Sequence, residues 1–285
     1  MDKKGKLDLI GKYSKKEVPR VAQVVDDYLT IARKINSTVW GMSYIDVTDA
    51  RKLIREHYKK TGYNISFTAF LITCYSRAVE KFKYPVNTFH RRMKYYYTFE
   101  DVDVQTNIER TLPSGIKKPL NYTIRKANTK TLKEINDEIQ AAKQTKPEGV
   151  STHKQKTLGI MKIFPKFPRF LRRIIIYIIF RNPLIRKRLL GTVGLTAVGM
   201  LAKEGIRGFG HGIFITPHTM SIAVAGIENR QMVIDGKPVI RETIAITLAM
   251  DHRIIDGGPA TRFGTEFFDI VENQYKEADW CFKSL

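Results

Sequence analysis

The strongest constraint on how this chain folds is the run Ile244-Ala245-Ile246-Thr247-Leu248-Ala249-Met250, which leads directly into Asp251-His252-Arg253-Ile254-Ile255-Asp256-Gly257-Gly258. The first part is uncharged and mixes β-branched with small residues, the composition of a strand. It closes Val239–Met250, the longest of four strand-like runs in the C-terminal third, after Val193–Val198, Ile213–Thr216 and Met220–Ala225. The charged residues therefore stand where the strand stops. A histidine at a strand end, with Asp256 on the tight loop that follows, is readily held in one orientation. Two roles fit that pattern taken alone: a catalytic base, or a structural loop histidine hydrogen-bonded to Asp256.

The rest of the chain supplies a core for that strand. Its 285 residues suffice for one large domain or two small ones, and 43% hydrophobic with 27% charged residues is ordinary for a folded protein. Ser37–Val47 alternates partially and reads as a strand. Thr48 is expected as the N-cap of a helix to about Lys60. Ser66 starts another helix, whose Phe67, Phe70, Leu71, Cys74, Ala78 and Val79 recur at helical spacing. Strand-like runs follow at Met93–Phe99, Val102–Ile108 and Leu120–Ile124. Thr129 opens a helix to about Ala142, and the Thr131-to-Glu134 spacing fits a capping box. Asn229–Lys237 carries turn chemistry, above all Asp235-Gly236. Pro259 is expected at the first position of a last helix that buries Phe263, Phe267, Ile270 and Val271.

Other chemistry is sparse. Cys74 and Cys281 make neither a disulfide framework nor a metal cluster; Cys74 is expected to be buried and Cys281 incidental. His57, His90 and His153 show no metal-ligand spacing, so no metal site is expected; His211 and His218 flank Gly212–Pro217, where surface or packing roles are expected and a place facing the active site is the alternative. The N-terminus lacks a long apolar stretch; no secretory signal is expected, and a cytoplasmic location follows by default.

The formal net charge of +21 concerns partners, not fold. Zinc-finger spacing, an RRM signature and a Walker loop are all missing, so nucleic acid is not the expected partner. Anionic ligands and an anionic membrane surface remain. Much of the charge lies in one window: between Glu148 and Glu204 there is no acidic residue, while Lys and Arg flank the apolar run Ile174-Ile175-Ile176-Tyr177-Ile178-Ile179-Phe180. That run is too short to span a bilayer, which takes about 20 residues. A helical excursion packed on the protein, a helix in the membrane interface, or a groove for an acyl chain or protein partner all fit it.

The pattern His252-x-x-x-Asp256-Gly257 after an apolar strand resembles the signature of the chloramphenicol acetyltransferase superfamily. The fuller string Ala249–Gly257 is most similar to the catalytic core of the dihydrolipoamide acyltransferases of 2-oxo acid dehydrogenase complexes. A second block, Gly191-Thr192-Val193-Gly194-Leu195-Thr196-Ala197-Val198-Gly199-Met200, resembles that family's Gly-Thr-Phe-Thr-Ile-Ser-Asn-Leu-Gly block. Pro217 and Ser221–Gly226 are similar to the strand that follows it, and a weaker likeness runs from Lys34 to Ala142.

The resemblance implies an α/β fold: a chloramphenicol acetyltransferase-like two-layer sandwich with a mixed β-sheet. It places a catalytic domain at 34–285 after a basic extension at 1–33, with a basic apolar helical insertion at about 146–190. It implies an acyltransferase that moves an acyl group between a coenzyme A thioester and an acceptor, with coenzyme A as substrate. His252 would be the general base, suited by a side chain that titrates near neutrality. Asp256 would orient the loop. Thr196 stands where the family uses a serine hydroxyl to stabilise the oxyanion, adding a methyl that stiffens χ1. Arg253, Thr216 and Gly257 would contact substrate or coenzyme A. The family's homotrimer would bring His252 and Thr196 together across an interface.

The departures from the family are specific. No lipoyl or subunit-binding domain fits before Lys34, so no covalent lipoyl group is expected on this chain. Ala197 replaces the usual Asn, and Leu112–Lys118 departs from the usual apolar strand. A non-catalytic scaffold that keeps the fold, or a core that works with lipoyl domains supplied in trans, are the alternatives these changes leave open.

Overall fold

The computed structural model describes residues 11–111, 117–144, 163–197 and 210–285. The beginning of the expected insertion, Val198–Met200 of the second block and residues 112–116 lie outside them. In chain order the main elements are α1 (Arg20–Ile35), β1 (Thr38–Asp46), α2 (Thr48–Thr61), α3 (Phe67–Lys81) and the single turn α4 (Lys83–Val86). Then come β2 (Thr88–Arg91), β3 (Tyr95–Thr98), β4 (Val104–Thr111), β5 (Lys117–Ile124) and α5 (Leu132–Gln144). The chain continues with α6 (Arg169–Arg181), α7 (Pro183–Leu190), β6 (Val193–Ala197), β7 (Met220–Ile234), β8 (Lys237–Asp251) and α8 (Gly257–Glu272).

The apolar run before His252 lies in the interior of a six-stranded sheet, ordered β1-β8-β7-β6-β4-β5. The sheet is mixed, as expected: β6 runs parallel to both β4 and β7, and the β1/β8, β7/β8 and β4/β5 pairs are antiparallel. β2 and β3 form a separate hairpin. Helices α3, α5 and α8 share one core with the sheet, in which Phe70, Tyr75, Phe263 and Phe267 are fully buried. Tyr75 meets Phe263 and Phe267 edge-on, at 6.1 and 5.8 Å. Burying each such ring contributes about 1.5–3 kcal/mol.

Several local expectations hold and several shift. The capping box is present: Thr131 N–H donates to Glu134 Oε2 at 2.8 Å, and Glu134 N–H to Thr131 Oγ1 at 3.3 Å. It starts α5 at Leu132, later than expected, because residues 127–129 form a separate 3₁₀ turn. Thr48 is the first residue of α2, not its cap; Val47 holds the cap position without a side-chain bond, and the Asp46 carboxylate accepts from Thr48 N at 2.9 Å. The expected turn at Asn229–Lys237 contracts to Asp235-Gly236. Both residues have positive φ, 50° and 74°, which suits a two-residue hairpin turn, and Asn229–Ile234 pair with β8. Pro259 is the third residue of α8, since Asp256 caps that helix, and there too its missing N–H leaves no helical bond unmade. Ile213–Thr216 is not a strand. Side chains hold that segment instead: Trp40 Nε1 donates to Phe214 O at 2.9 Å and Asn36 Nδ2 to Thr216 O at 2.9 Å. Cys281 is buried like Cys74, so it belongs to the core.

The described part of the insertion is helical. Asn182 Oδ1 accepts from Leu184 N and Ile185 N at 3.0 and 3.2 Å, and with Pro183 this starts α7 directly after α6. Ile176 and Phe180 of α6 pack with Ile31, Ala32 and Ile35 of α1 in a second, smaller core. The expected boundary at residue 33 therefore falls inside a packed helix. Electrostatics lock the same pair. Asp27, fully buried, accepts from Arg169 at 3.1 Å, Arg172 at 2.9 Å and Arg173 at 2.7 Å. Burial alone would raise its pKa, but hydrogen bonds from Arg173, Arg172 and Arg169 outweigh it and hold the carboxyl below the usual range.

Removing that carboxylate strands the buried Arg172 guanidinium. Asp27→Ala is expected to lower stability by about 3–5 kcal/mol, read as a drop in the urea midpoint at neutral pH. Because the folded pKa is depressed, the contribution is present above the unfolded value and fades as pH falls through the folded one. The wild-type and variant midpoints should therefore converge in acid.

Candidate active site

The loop after β8 is fixed by its acidic neighbour. Asp251 is buried, and its Oδ1 accepts from Ser37 N at 3.1 Å and Arg253 Nε at 2.9 Å, while Oδ2 accepts from Arg253 Nη2 at 2.6 Å. Burial pushes this carboxyl up, but the bonds and charge of Arg253 prevail and hold its pKa low. Backbone bonds complete the clip: Asp251 N–H to Thr219 O and His252 N–H to Ser37 O, both 2.9 Å. Ile255 is buried beneath the loop. His252 is thus held by its backbone, with its side chain 48% exposed.

Arg253 was expected to touch substrate. Its Nε and Nη2 are committed to Asp251, and Nη2 also donates to the carbonyl of Ile35 at the end of α1. The geometry makes it a brace for the loop. Asp256 Oδ1 lies 3.9 Å from His252 Nε2, beyond hydrogen-bond reach, and accepts from Gly257 N at 2.8 Å as the cap of α8. The reading of His252 as a structural histidine bonded to Asp256 does not describe this loop. Gly257 heads α8, and a Cβ built there meets nothing within 4 Å.

Thr196 and Thr216 line one cavity of about 240 Å³, together with Asn107, Gly194, His218 and Ser221; His252 is not among its lining residues. The second block shapes it. Gly191 has φ +82°, and a Cβ there would lie 2.6 Å from Asp103 O; at Gly194 it would lie 2.6 Å from Ser221 Oγ. Thr192 ties β6 to the start of β4, donating its N–H to Asp103 O at 2.8 Å and accepting from Asp103 N at 3.0 Å. Asn107 Nδ2 donates to Thr196 Oγ1 at 3.2 Å, which leaves the threonine's own O–H to donate elsewhere.

His218 sets the cavity's deeper polar network. Its Nε2 lies 3.1 Å from Leu190 O, which only accepts, so that nitrogen carries the proton. Nδ1 then accepts from the Thr216 hydroxyl at 3.2 Å, and Ser221 Oγ completes the network 2.7 Å from Thr216 Oγ1. Burial, reinforced by the Arg186 guanidinium, pushes the His218 pKa down to about 3. His90, 4.0 Å from Asp251 Oδ2, is pushed down to about 4, by burial first and Arg253 next. Sequence reasoning missed Asp251, Asn107 and Ser221 as parts of these sites, and Asp251 alone of these three carried a signal, its place beside His252; His218 takes the alternative place, facing the cavity. Among the described residues, no three His, Cys, Asp or Glu side chains converge as a metal site.

Fold and loop together define a class, an α/β domain with a mixed sheet and a histidine directly after a long interior strand. Residues 191–277 match the family of 2-oxoacid dehydrogenases acyltransferase (catalytic domain). That match takes in both β6 and the loop at His252. It is 23% identical over 214 residues to the dihydrolipoyllysine-residue acetyltransferase component of the pyruvate dehydrogenase complex of Mycoplasma pneumoniae, which covers 75% of this chain and 43% of that protein. The chain thus spans less than half the length of that relative. A probable dihydrolipoamide acetyltransferase from Listeria monocytogenes superposes with a TM-score of 0.64 at 18% identity, covering 93% of this chain and 97% of the other. The dihydrolipoamide acetyltransferase of Azotobacter vinelandii, studied for the catalytic roles of a serine, a histidine and an asparagine, gives 0.65 at 16% identity, covering 94% and 96%.

The two depressed histidines make stability pH-dependent. Both are neutral when folded, so on acidification the unfolded chain takes up protons first, and stability is lost from about pH 6.5 downward at about 1.4 kcal/mol per pH unit per histidine. The loss should level near pH 4 for His90 and near 3 for His218. Urea unfolding of wild type against His90→Gln between pH 7 and 5 should show the variant's slope reduced by about one proton.

Proposed function

We propose that this chain moves an acyl group between a coenzyme A thioester and a thiol-class acceptor, with His252 as general base. The observation that carries this reading is the catalytic loop: Asp251 and Arg253 fix its backbone and leave the His252 ring half-exposed. The Azotobacter histidine and asparagine stand four residues apart, the spacing of His252 and Asp256 here.

The chemistry follows from the groups available. The acceptor gives its proton to the His252 imidazole and attacks the thioester carbonyl. The tetrahedral oxyanion is stabilised by the Thr196 hydroxyl, which Asn107 leaves free to donate. Collapse breaks the carbon–sulfur bond, and the departing thiolate of coenzyme A recovers the proton from His252. Asp256 acts through the start of α8 and not as a proton relay. Thr216 belongs to the cavity wall, and Gly257 offers an open backbone where a ligand can approach closely.

His252 does not line the cavity of Thr196. The site is therefore completed by another copy, in a homotrimer that pairs His252 of one subunit with Thr196 of the next. The first acceptor to test is a dihydrolipoyl thiol, the group in the names of the relatives.

With acetyl-coenzyme A and dihydrolipoamide, His252→Ala should abolish transfer without changing the oligomer's mass, and Thr196→Ala should lower kcat by about 10²-fold. Full activity in His252→Ala refutes the assignment. A wild-type chain that releases no coenzyme A from any of a panel of acyl thioesters supports the scaffold reading instead.

A further inference from the structure

We propose that α6 and α7 dock this chain on an anionic bilayer surface, with the outer face of α6 lying in the plane of the membrane interface. The argument begins with the inverted polarity of α6. Arg172, 3% exposed, points into the protein, while Phe170 is 67% and Ile178 53% exposed. With Ile174 and Tyr177, these residues recur at positions i, i+4, i+7 and i+8, one continuous helix face. α7 adds exposed Leu184 and Leu189 directly after it. A helix that turns a guanidinium inward and four large apolar side chains outward is not built to face water.

The charges fit an anionic surface. Between Glu148 and Glu204 the sequence has no acidic residue, so neither helix carries a group that repels lipid phosphates. Arg169, Arg172 and Arg173 pair with Asp26 and Asp27; Arg172 and Asp27 are buried, while the Arg169–Asp26 pair is exposed at the start of the helix. Lys166 and Arg188 are exposed at the two ends, without an acidic partner at ion-pair distance among the described residues. Arg181 lies over the Tyr177 ring, 5.1 Å from its centroid, an aromatic–cation pair suited to the headgroup level.

Length decides the mode. The 13 residues of α6 extend about 20 Å, against about 30 Å for a hydrocarbon core. No helix among the described residues is long and apolar enough to cross a membrane. The helix therefore lies on the bilayer, its apolar face sunk to the acyl boundary and its flanking cations at the phosphates. A protein partner would need a groove matched to this stripe; a bilayer needs only apolar depth and negative charge, and both counterparts are present here.

The test is flotation of the full chain with vesicles of phosphatidylcholine containing about one-third phosphatidylserine, and with phosphatidylcholine alone. The chain should float with the anionic vesicles and remain behind with the neutral ones. Arg188→Ala should lower partitioning about fivefold at low salt, an effect that high salt erases. The double variant Ile174→Glu, Ile178→Glu should stay unbound, with an unchanged thermal midpoint because both side chains are exposed. Phe170→Ser reads the same face should the double variant lose its fold. Wild type that fails to float with anionic vesicles at low salt overturns the proposal, as does undiminished flotation of the folded variants. A chain that ignores vesicles but loses mass in solution on the double substitution assigns the face to contact between copies, which also overturns it.

Discussion

The interaction on which the rest depends is the buried clasp of Asp251 with Arg253. It holds three separate parts of the chain at one point. Asp251 ends β8, Arg253 reaches the carbonyl of Ile35 at the end of α1, and Asp251 Oδ1 accepts from Ser37 at the start of β1. A bidentate arginine–carboxylate pair gives direction as well as energy. It therefore fixes the path of the backbone through His252, which in turn donates its N–H to Ser37 O. The orientation of the histidine is set by residues on either side of it, and its ring stays available for chemistry.

A second clasp repeats the same logic farther out. Asp27 joins α1 to α6 through three arginines. The helix that braces the His252 loop at Ile35 is thus itself braced by the insertion. α1 is the shared element, with Ile31 and Ile35 packed against Ile176 and Phe180. Three of the twelve Lys and Arg residues between Glu148 and Glu204 are spent on this internal joint. Charge read from sequence gives the supply of cations, while the fold decides how many meet solvent.

What could be read in the sequence follows from the range of the interactions. The capping box of α5, the Asp235-Gly236 turn and the buried face of α8 depend on neighbours a few residues apart, and each was legible. The strand before His252 was legible because its apolar run has no other use. Ile213–Thr216 was misread because its composition is that of a strand, while its hydrogen bonds come from Trp40 and Asn36, more than a hundred residues away in the chain. The motif places Arg253 beside His252 and so suggests a substrate contact; only the structure puts its guanidinium on Asp251 and Ile35. For His218 the sequence offers only its place beside Pro217; its burial and its bond to Leu190 O are tertiary facts.

The packing around Thr196 bears on the role proposed for its hydroxyl. Gly194 of β6 passes Ser221 with no room for a Cβ, and Gly191 passes the Asp103 carbonyl in the same way. That approach brings the Thr196 hydroxyl to the cavity rim and within 3.2 Å of Asn107. A serine there would rotate among its rotamers, whereas threonine is stiff at χ1. With Asn107 donating to its oxygen, the threonine hydroxyl is restricted both by its methyl and by its acceptor role. A donor fixed before the oxyanion forms needs no reorganisation when charge develops. The added methyl is therefore compatible with the proposed role, provided the ligand approaches along the open side of the cavity.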